Sequence, residues 1–134
     1  MRRPILLGES NPYSAALGDA LSPRFPNSTG QRLWRLTGMA EDDYLASFDR
    51  RNLCRTRWSS KRAQRAARDL KKHLERDNVI VMLGHKVRRA MGDPPRGVQF
   101  LFIPHPSGRC RAYNDPSVRR RVRRLLRKLA RESH

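Results

Sequence analysis

The sequence has few cysteines, few aromatic residues and no long apolar run. Its two cysteines, Cys54 and Cys110, form no Cys-x-x-Cys pair, which excludes an iron–sulfur cluster held by four thiolates of this chain. A zinc site built from both cysteines and two of the 4 histidines would lack the ligand spacing of a zinc finger. We therefore expect reduced thiols, no metal and no cofactor.

Acidic residues are also scarce. Lys and Arg number 30 against 12 Asp and Glu, which gives a formal net charge of +18 at pH 7, and most of the cations are Arg. Guanidinium groups bind phosphates through paired hydrogen bonds, and contacts of this kind release condensed counterions. The charge predicts a polyanionic partner. Nucleic acid is the main candidate, although an anionic membrane surface could use the same charge.

No apolar run approaches the ~20 residues of a membrane-spanning helix, and the N-terminus lacks the apolar core of a signal peptide. We therefore expect a monomer in the cytoplasm, associated with the nucleoid and without a membrane partner. Apolar residues make up 37% of the chain and occur in short clusters. They are sufficient for the small core of a single domain covering residues 1–134.

Short apolar runs that end in polar turns predict four strands, at about 5–7, 52–54, 79–83 and 98–103. The third run is almost continuous in apolar residues, which is typical of a parallel strand buried on both faces. Helical spacing of apolar residues predicts five helices, at about 29–37, 40–48, 61–76, 86–91 and 116–132. Strands that alternate with helices predict an α/β fold, a three-layer α/β/α sandwich with a small, mostly parallel four-stranded sheet.

The predicted C-terminal helix, 116–132, is apolar on one face and almost entirely arginine on the other. Such a face is either a solvated helix surface or a row of cations that lies along phosphates. The sequence leaves both interpretations open.

Polar residues of several chemical types follow the predicted strands. In an open parallel sheet, ligands bind beyond the carboxyl ends of the strands. An asparagine before a proline is usually a turn residue and a lone histidine is usually structural, so only the joint placement of these residues favours a site. The residues concerned are Glu9, Asn11, Tyr13, Asn52, His105 and Ser107.

Two of these loops resemble the active-site motifs of the uracil-DNA glycosylase superfamily. Segment 8–14, Gly-Glu-Ser-Asn-Pro-Tyr-Ser, resembles the first motif of the superfamily. Segment 105–109, His-Pro-Ser-Gly-Arg, resembles the second. The order of the motifs along the chain also matches, and the resemblance extends over about residues 4–130. It implies the fold of that superfamily and a monofunctional DNA glycosylase. Such an enzyme would hydrolyse the N-glycosidic bond of uracil, or of a related modified pyrimidine, flipped out of DNA.

The resemblance also implies roles for individual residues. Asn11 would position the water that attacks the sugar, and His105 would donate a hydrogen bond to uracil O2 as charge gathers on the leaving base. Asn52 would pair with the uracil edge, Phe25 would stack on the base, and Tyr13 would exclude the methyl group of thymine. The remaining residues of the base pocket would be Gly8, Ser10 and Pro12.

The same resemblance implies the DNA contacts. Ser107 would hold a phosphate, and Arg109 would take the place of the wedge that fills the vacated base stack. Further contacts to DNA would come from Ser14, Gly108 and Arg111.

The chain departs from the superfamily pattern in its first motif and in its length. One more residue separates Gly8 from Pro12 than in the Asp-Pro-Tyr-His version, and Asn11 replaces the stronger base. Glu9 matches the Gly-Glu opening of the iron–sulfur branch and is an alternative water-activating group, but that branch needs four cysteines. The short chain favours single-stranded or distorted DNA as the partner.

Two other functions would explain part of the charge and of the polar residues at the strand ends. A non-catalytic nucleic-acid-binding module of the same fold could recognise a base in the pocket, and Asn11 in place of an aspartate favours it. A basic structural protein of a nucleoprotein complex would explain the charge but not the polar residues at the strand ends.

Overall fold

A computed structural model describes residues 2–12 and 16–133 of the chain. Within these residues the strands are β1 (Ile5–Gly8), β2 (Asp49–Asn52), β3 (Val79–Leu83) and β4 (Gln99–Ile103). The helices are α1 (Thr29–Thr37), α2 (Glu41–Ser47), α3 (Ser60–His73), α4 (His85–Met91) and α5 (Pro116–Glu132). Two short 3-10 helices cover Leu17–Asp19 and Arg111–Asn114.

All strand pairs of the described sheet are parallel, and the strand order is β2-β1-β3-β4. Leu6 in the middle of β1 lies opposite Arg50 of β2 and Val81 of β3. The chain moves from β1 outward to β2 and then returns past β1 to form β3. Because the strand order reverses between β1 and β3, a crevice opens beyond the carboxyl ends of these two strands.

Helices cover both faces of the sheet, so the fold has three layers, α/β/α. Successive side chains of a strand point to opposite faces. Leu6 therefore packs in one cluster with Leu33 of α1 and Leu126 of α5, and α2 belongs to the same layer. Ile5 packs on the opposite side in a cluster that contains Ala63 of α3, together with residues of α4. The predicted α/β fold with a parallel four-stranded sheet is confirmed.

Three helices begin at side-chain caps. The hydroxyl of Ser28 accepts from the Gln31 N–H at the start of α1, and Ser59 caps α3 in the same way. Asp115 caps α5, whose first residue is Pro116. These caps satisfy N–H groups that have no partner inside the helix. The cap residue predicted the start of α1, and Pro116 predicted the start of α5.

The second strand lies earlier in the chain than predicted. We predicted it at 52–54, whereas β2 is Asp49–Asn52. This strand is polar and lies at the edge of the sheet, so it has no apolar pattern of its own and its position is set by pairing with β1. Leu53 and Cys54 continue the pairing through N–H bonds to the carbonyls of Gly8 and Glu9.

The boundaries of four other elements also differ from the prediction. α3 ends at His73 instead of near 76, because Leu74 is extended and Asp77 has a positive φ of 72°. α2 is one residue shorter at each end than 40–48, α4 begins one residue before 86, and β4 begins one residue after 98. Differences of this size are usual for element ends.

The loop between the first 3-10 helix and α1 packs tightly against α1. A β-carbon added to Gly30 would lie 2.4 Å from the carbonyl carbon of Leu21, so only glycine allows this approach. The buried hydroxyl of Tyr44 donates a 3.0 Å hydrogen bond to the Leu21 carbonyl oxygen. Leu21 itself has a positive φ of 52°. The glycine and the tyrosine together hold this loop in place.

The outer helix surfaces are strongly cationic. α5 buries Val122, Leu126 and Leu129, while its arginines are exposed, among them Arg119, Arg120, Arg123 and Arg127. In the part of the chain that the structure covers, no helix has the length and apolar character to cross a membrane.

Candidate active site at the carboxyl edge of the sheet

The predicted site residues cluster at the carboxyl edge of the sheet. Glu9 directly follows β1, Asn52 is the last residue of β2, and His105 follows β4 by two residues. β1 and β3 are neighbours, and β4 pairs with β3, so the loops after these strands meet at the crevice.

Glu9 and His105 form the central pair of the site. Oε2 of Glu9 lies 3.7 Å from Nε2 of His105, and each side chain keeps 23% of its surface exposed. Gly84, at the end of β3, has a φ of +91°, and a β-carbon there would lie 2.9 Å from Cβ of His105. The absence of a side chain at Gly84 therefore allows His105 to pack against the end of β3.

His105 has a pKa below the ordinary value of 6.5. Burial lowers this pKa, the carboxylate of Glu9 opposes the effect, and the charge of Lys86 adds to it. The neutral imidazole therefore dominates at neutral pH. The 3.7 Å between Nε2 and Oε2 of Glu9 is longer than a hydrogen bond, so in the tautomer with hydrogen on Nε2 this N–H is available to a ligand.

Asn52 presents a buried acceptor. Its Oδ1 has no hydrogen-bond partner among the described residues. Asn52 is the register partner of Gly8, and a β-carbon on Gly8 would lie 2.5 Å from that oxygen. An unpaired buried oxygen is costly and uncommon in proteins, so it indicates a group that a ligand can complete.

Asn52 lines a small cavity of about 140 Å³. Asn52, Asn11 and Phe25 form part of its wall. An engineered cavity of ~150 Å³ holds benzene, so the volume suits one six-membered ring. The predicted pocket residues Ser10 and Pro12 also line it, while Gly8 lies beneath Asn52.

Asn11 is 7% exposed, and its amide nitrogen donates to the Asp19 carbonyl at 3.1 Å. Its backbone N–H donates to the Arg55 carbonyl at 3.2 Å. These bonds connect the loop after β1 to the first 3-10 helix and to the segment after β2. Asn11 thus has a structural function in addition to its place in the cavity wall. Two other predicted residues, Tyr13 and Ser14, lie outside the described residues.

The loop after β4 turns sharply toward α1. The Ser107 N–H donates to the His105 carbonyl at 2.8 Å, and the Ser107 carbonyl accepts from the Cys110 N–H at 3.2 Å. A β-carbon on Gly108 would lie 2.9 Å from the guanidinium of Arg32 on α1. The other predicted DNA contacts in this region, Arg109 and Arg111, are exposed.

A larger groove of about 460 Å³ lies beside this loop, between α1 and α5. Its wall includes Ser107, Tyr113 and five arginines. Sequence reasoning did not identify the α1 arginines of this groove, Arg32 and Arg35, or Lys86 beside His105. Arginine is so frequent in this chain that a spacing of three residues on a helix did not set Arg32 and Arg35 apart.

Both cysteines are free thiols: Cys54 is buried and Cys110 is partly exposed. Across residues 2–12 and 16–133, His, Cys, Asp and Glu form no group of three or more that could hold a metal ion.

Comparison of the chain with models of protein families, with curated proteins and with solved structures found no match. The function must therefore be inferred from the geometry and charge of the site. The carboxyl edge of the sheet offers a ring-sized cavity, an Asn52 oxygen without a partner among the described residues and, on adjacent loops, the Glu9 carboxylate and the His105 imidazole. Together these groups can recognise a planar polar ring and assist the departure of an anionic leaving group.

Proposed function

We propose that this protein is a monofunctional DNA glycosylase of the uracil-DNA glycosylase superfamily. It hydrolyses the N-glycosidic bond of uracil, or of a related modified pyrimidine, and leaves an abasic site. The observation that carries the proposal is Asn52, which lines a cavity that fits one pyrimidine ring and whose buried Oδ1 has no hydrogen-bond partner among the described residues. The three-layer fold with its parallel sheet is compatible with this membership.

Asn52 selects the base. Uracil carries a hydrogen on N3, which Oδ1 of Asn52 accepts, and its O4 accepts from the amide NH2. Cytosine has an acceptor at N3 and a donor at C4, so it would leave the amide oxygen unpaired. A site built around such a hydrogen bond rejects the mismatched ring strongly, because a buried polar group stays unsatisfied.

His105 stabilises the leaving base. As the C1′–N1 bond breaks, its electron pair moves to the pyrimidine and negative charge develops on O2. The Nε2 hydrogen of the neutral imidazole donates to that oxygen, and removal of one such donor costs about 10²–10³-fold in rate. The lowered pKa keeps the imidazole neutral at pH 7.

Glu9 is the better candidate than Asn11 for activating water. A carboxylate accepts the proton of the water that attacks C1′, and its negative charge favours the cationic sugar formed at the transition state. An amide has neither property, and the Asn11 amide nitrogen already donates to Asp19. No metal or redox cofactor takes part in this hydrolysis, and none is proposed.

DNA is the proposed partner, single-stranded or distorted, and we propose a cytoplasmic monomer associated with the nucleoid. The net charge of +18 supports a polyanionic partner. A base that is already unstacked costs less to extrude than a paired one, which favours such substrates for a small protein.

The second candidate function is a base-recognising module without activity. Two features of Asn11 favour it. Asn11 stands beside the proline where a catalytic aspartate would be, and its amide and backbone N–H form hydrogen bonds within the loops. In this alternative the cavity binds a flipped base and DNA is released unchanged.

An excision assay tests the proposal. Single- and double-stranded oligonucleotides with one labelled uracil site are incubated with the protein, and abasic sites are cleaved with alkali. Glu9→Gln and His105→Gln should each lose about 10²-fold or more in rate while DNA binding persists. Asp42→Asn and His73→Gln make the same chemical changes at exposed helix positions and should retain full rate. Salt-sensitive binding without cleavage of any modified base would favour the module instead.

A further inference from the structure

The groove between α1 and α5 has a wall rich in arginine. Arg32 and Arg35 come from α1, and Arg119, Arg120 and Arg123 come from α5. The rest of the wall contains no carboxylate; it consists of Leu36, Pro106, Ser107, Tyr113 and Pro116. Two helices of one layer thus bring five cations to a single concave surface.

The five arginines form no close ion pair with carboxylates of the described residues. None of them belongs to an ion pair of the described residues. Nε of Arg123 donates to the Leu36 carbonyl at 3.0 Å, and Arg119 donates to the Tyr113 carbonyl. Each of these bonds uses one of the five N–H donors of a guanidinium, so the groups are held in place and keep other donors.

Asp115 is the acid next to this groove in sequence, and it has another function. It caps α5, where one of its oxygens accepts from both the N–H and the hydroxyl of Ser117. Those bonds lower the pKa of Asp115, and nearby Arg120 and Arg119 lower it further. Asp115 thus interacts with two of the five arginines, but it does not line the groove.

The groove and the ring-sized cavity are both lined by residues of α1. Ser28, Thr29 and Gly30, at the start of α1, line the cavity, while Arg32 and Arg35, further along the same helix, line the groove. The loop after β4 makes a second connection, since His105 belongs to the catalytic pair and Ser107 to the groove wall.

We propose that this groove binds the sugar-phosphate backbone of the single DNA strand that flanks the base in the cavity. The proposal rests on the proposed function for the identity of the strand. Arginines bind the phosphates in paired hydrogen bonds, and Tyr113 with its apolar neighbours offers a surface for sugars or a base. A volume of about 460 Å³ admits a short piece of one strand.

Measured affinity and its dependence on salt test the groove. Arg35→Gln/Arg120→Gln removes one cation from each side, and Arg65→Gln/Arg68→Gln removes two exposed cations from α3 on the opposite layer. With a single-stranded oligonucleotide carrying one uracil, the groove variant should bind roughly tenfold more weakly. The slope of log K against log salt should fall by about 1.4, or 0.7 for each lost phosphate contact. The α3 variant should lose much less affinity and keep its excision rate.

Each further outcome decides one of the two proposals. Equal losses of affinity in the groove and α3 variants would show that the net charge, and not a particular surface, binds the strand. This result would overturn the groove proposal. A greater loss for fully paired duplex than for single strands would overturn it as well. If the wild-type protein excises no base but the groove variant alone loses single-strand binding, the groove stands and the glycosylase proposal fails. Thermal unfolding of both variants checks that the fold is intact.

Discussion

A β-carbon placed on Gly8 would lie 2.5 Å from Oδ1 of Asn52, closer than real β-carbons approach any atom. Gly8→Ala should therefore displace the Asn52 side chain from the cavity wall. We expect the excision rate for uracil to fall about 10²-fold, as after loss of a preorganised hydrogen-bond partner. The rate under single-turnover conditions measures the effect.

Gly18→Ala is the matched control for this change, because a β-carbon at Gly18 meets no atom within 4 Å. It should leave both excision and stability close to wild type. Full activity of Gly8→Ala would show that the position of Asn52 does not matter for the reaction.

Asn52→Leu should separate stability from activity. The substitution removes a buried oxygen that has no partner in residues 2–12 and 16–133, so the free energy of unfolding should stay unchanged or rise, by up to about 1–3 kcal/mol. Excision should be lost, because the leucine cannot pair with uracil. Denaturant unfolding and the excision assay measure the two effects.

Asn78→Leu provides the contrast. Asn78 is 8% exposed and its Oδ1 accepts from the Glu75 N–H at 2.7 Å. Its replacement leaves that N–H without a partner and should lower the free energy of unfolding by about 1–3 kcal/mol. If Asn52→Leu destabilises the protein as much as Asn78→Leu, the Asn52 oxygen has a partner in solution and the base-recognition proposal loses its main support.

His105 should titrate below 6.5, and the two neighbouring charges should move its pKa in opposite directions. Glu9→Gln removes the carboxylate that raises this pKa, so the pKa should fall. Lys86→Gln removes a cation that lowers it, so the pKa should rise. NMR titration of the imidazole in both variants measures these shifts, and shifts in the same direction would contradict the geometry of the pair.

The lowered pKa of His105 also makes stability depend on pH. Between the folded pKa and 6.5 the unfolded chain binds more protons than the folded one, so the contribution of His105 to stability is fully present above 6.5 and declines as the pH falls through that window. His105→Gln should remove this part of the pH dependence. Denaturant unfolding of both proteins at several pH values between 5 and 8 tests the prediction, with the range chosen to bracket the ordinary histidine pKa.

Tyr44 should stabilise the cavity wall through its hydrogen bond to Leu21. Its hydroxyl donates to the Leu21 carbonyl, and Leu21 belongs to the cavity wall. Tyr44→Phe leaves this carbonyl unpaired and should lower the free energy of unfolding by about 1–3 kcal/mol. It should also raise the KM for uracil-containing DNA, because the loop is held less firmly. An unchanged KM together with lower stability would show that the loop position does not affect substrate binding.

Local sequence signals predicted most elements of the fold. The Ser28 cap, the stop at Gly38 and Pro116 at a first helical position act within a few residues, so α1 and α5 have the expected starts and ends. β2 was misplaced because an edge strand of Asp, Arg and Asn has no apolar alternation, and hydrogen bonds to the distant β1 determine where it lies.

Part of the candidate site could also be predicted from local sequence. Glu9, Asn52 and His105 were identified because polar residues that follow strands gather at the carboxyl edge of a parallel sheet. The distances between them were not predictable, since they depend on Gly8 and Gly84 allowing close packing of separate loops. Lys86 was missed because its effect on His105 arises only from proximity in space.

The amino-acid sequence by itself determined the alternation of strands and helices, the buried character of β3 and the excess of positive charge, because periodicity and composition act locally. Tertiary structure alone decided that Glu9 meets His105, that the Asn52 oxygen is buried with no partner in the described part of the chain, and that the arginines of α1 and α5 share one groove. These features require distant segments to pack on particular faces of the sheet, and no short stretch of the chain encodes that choice.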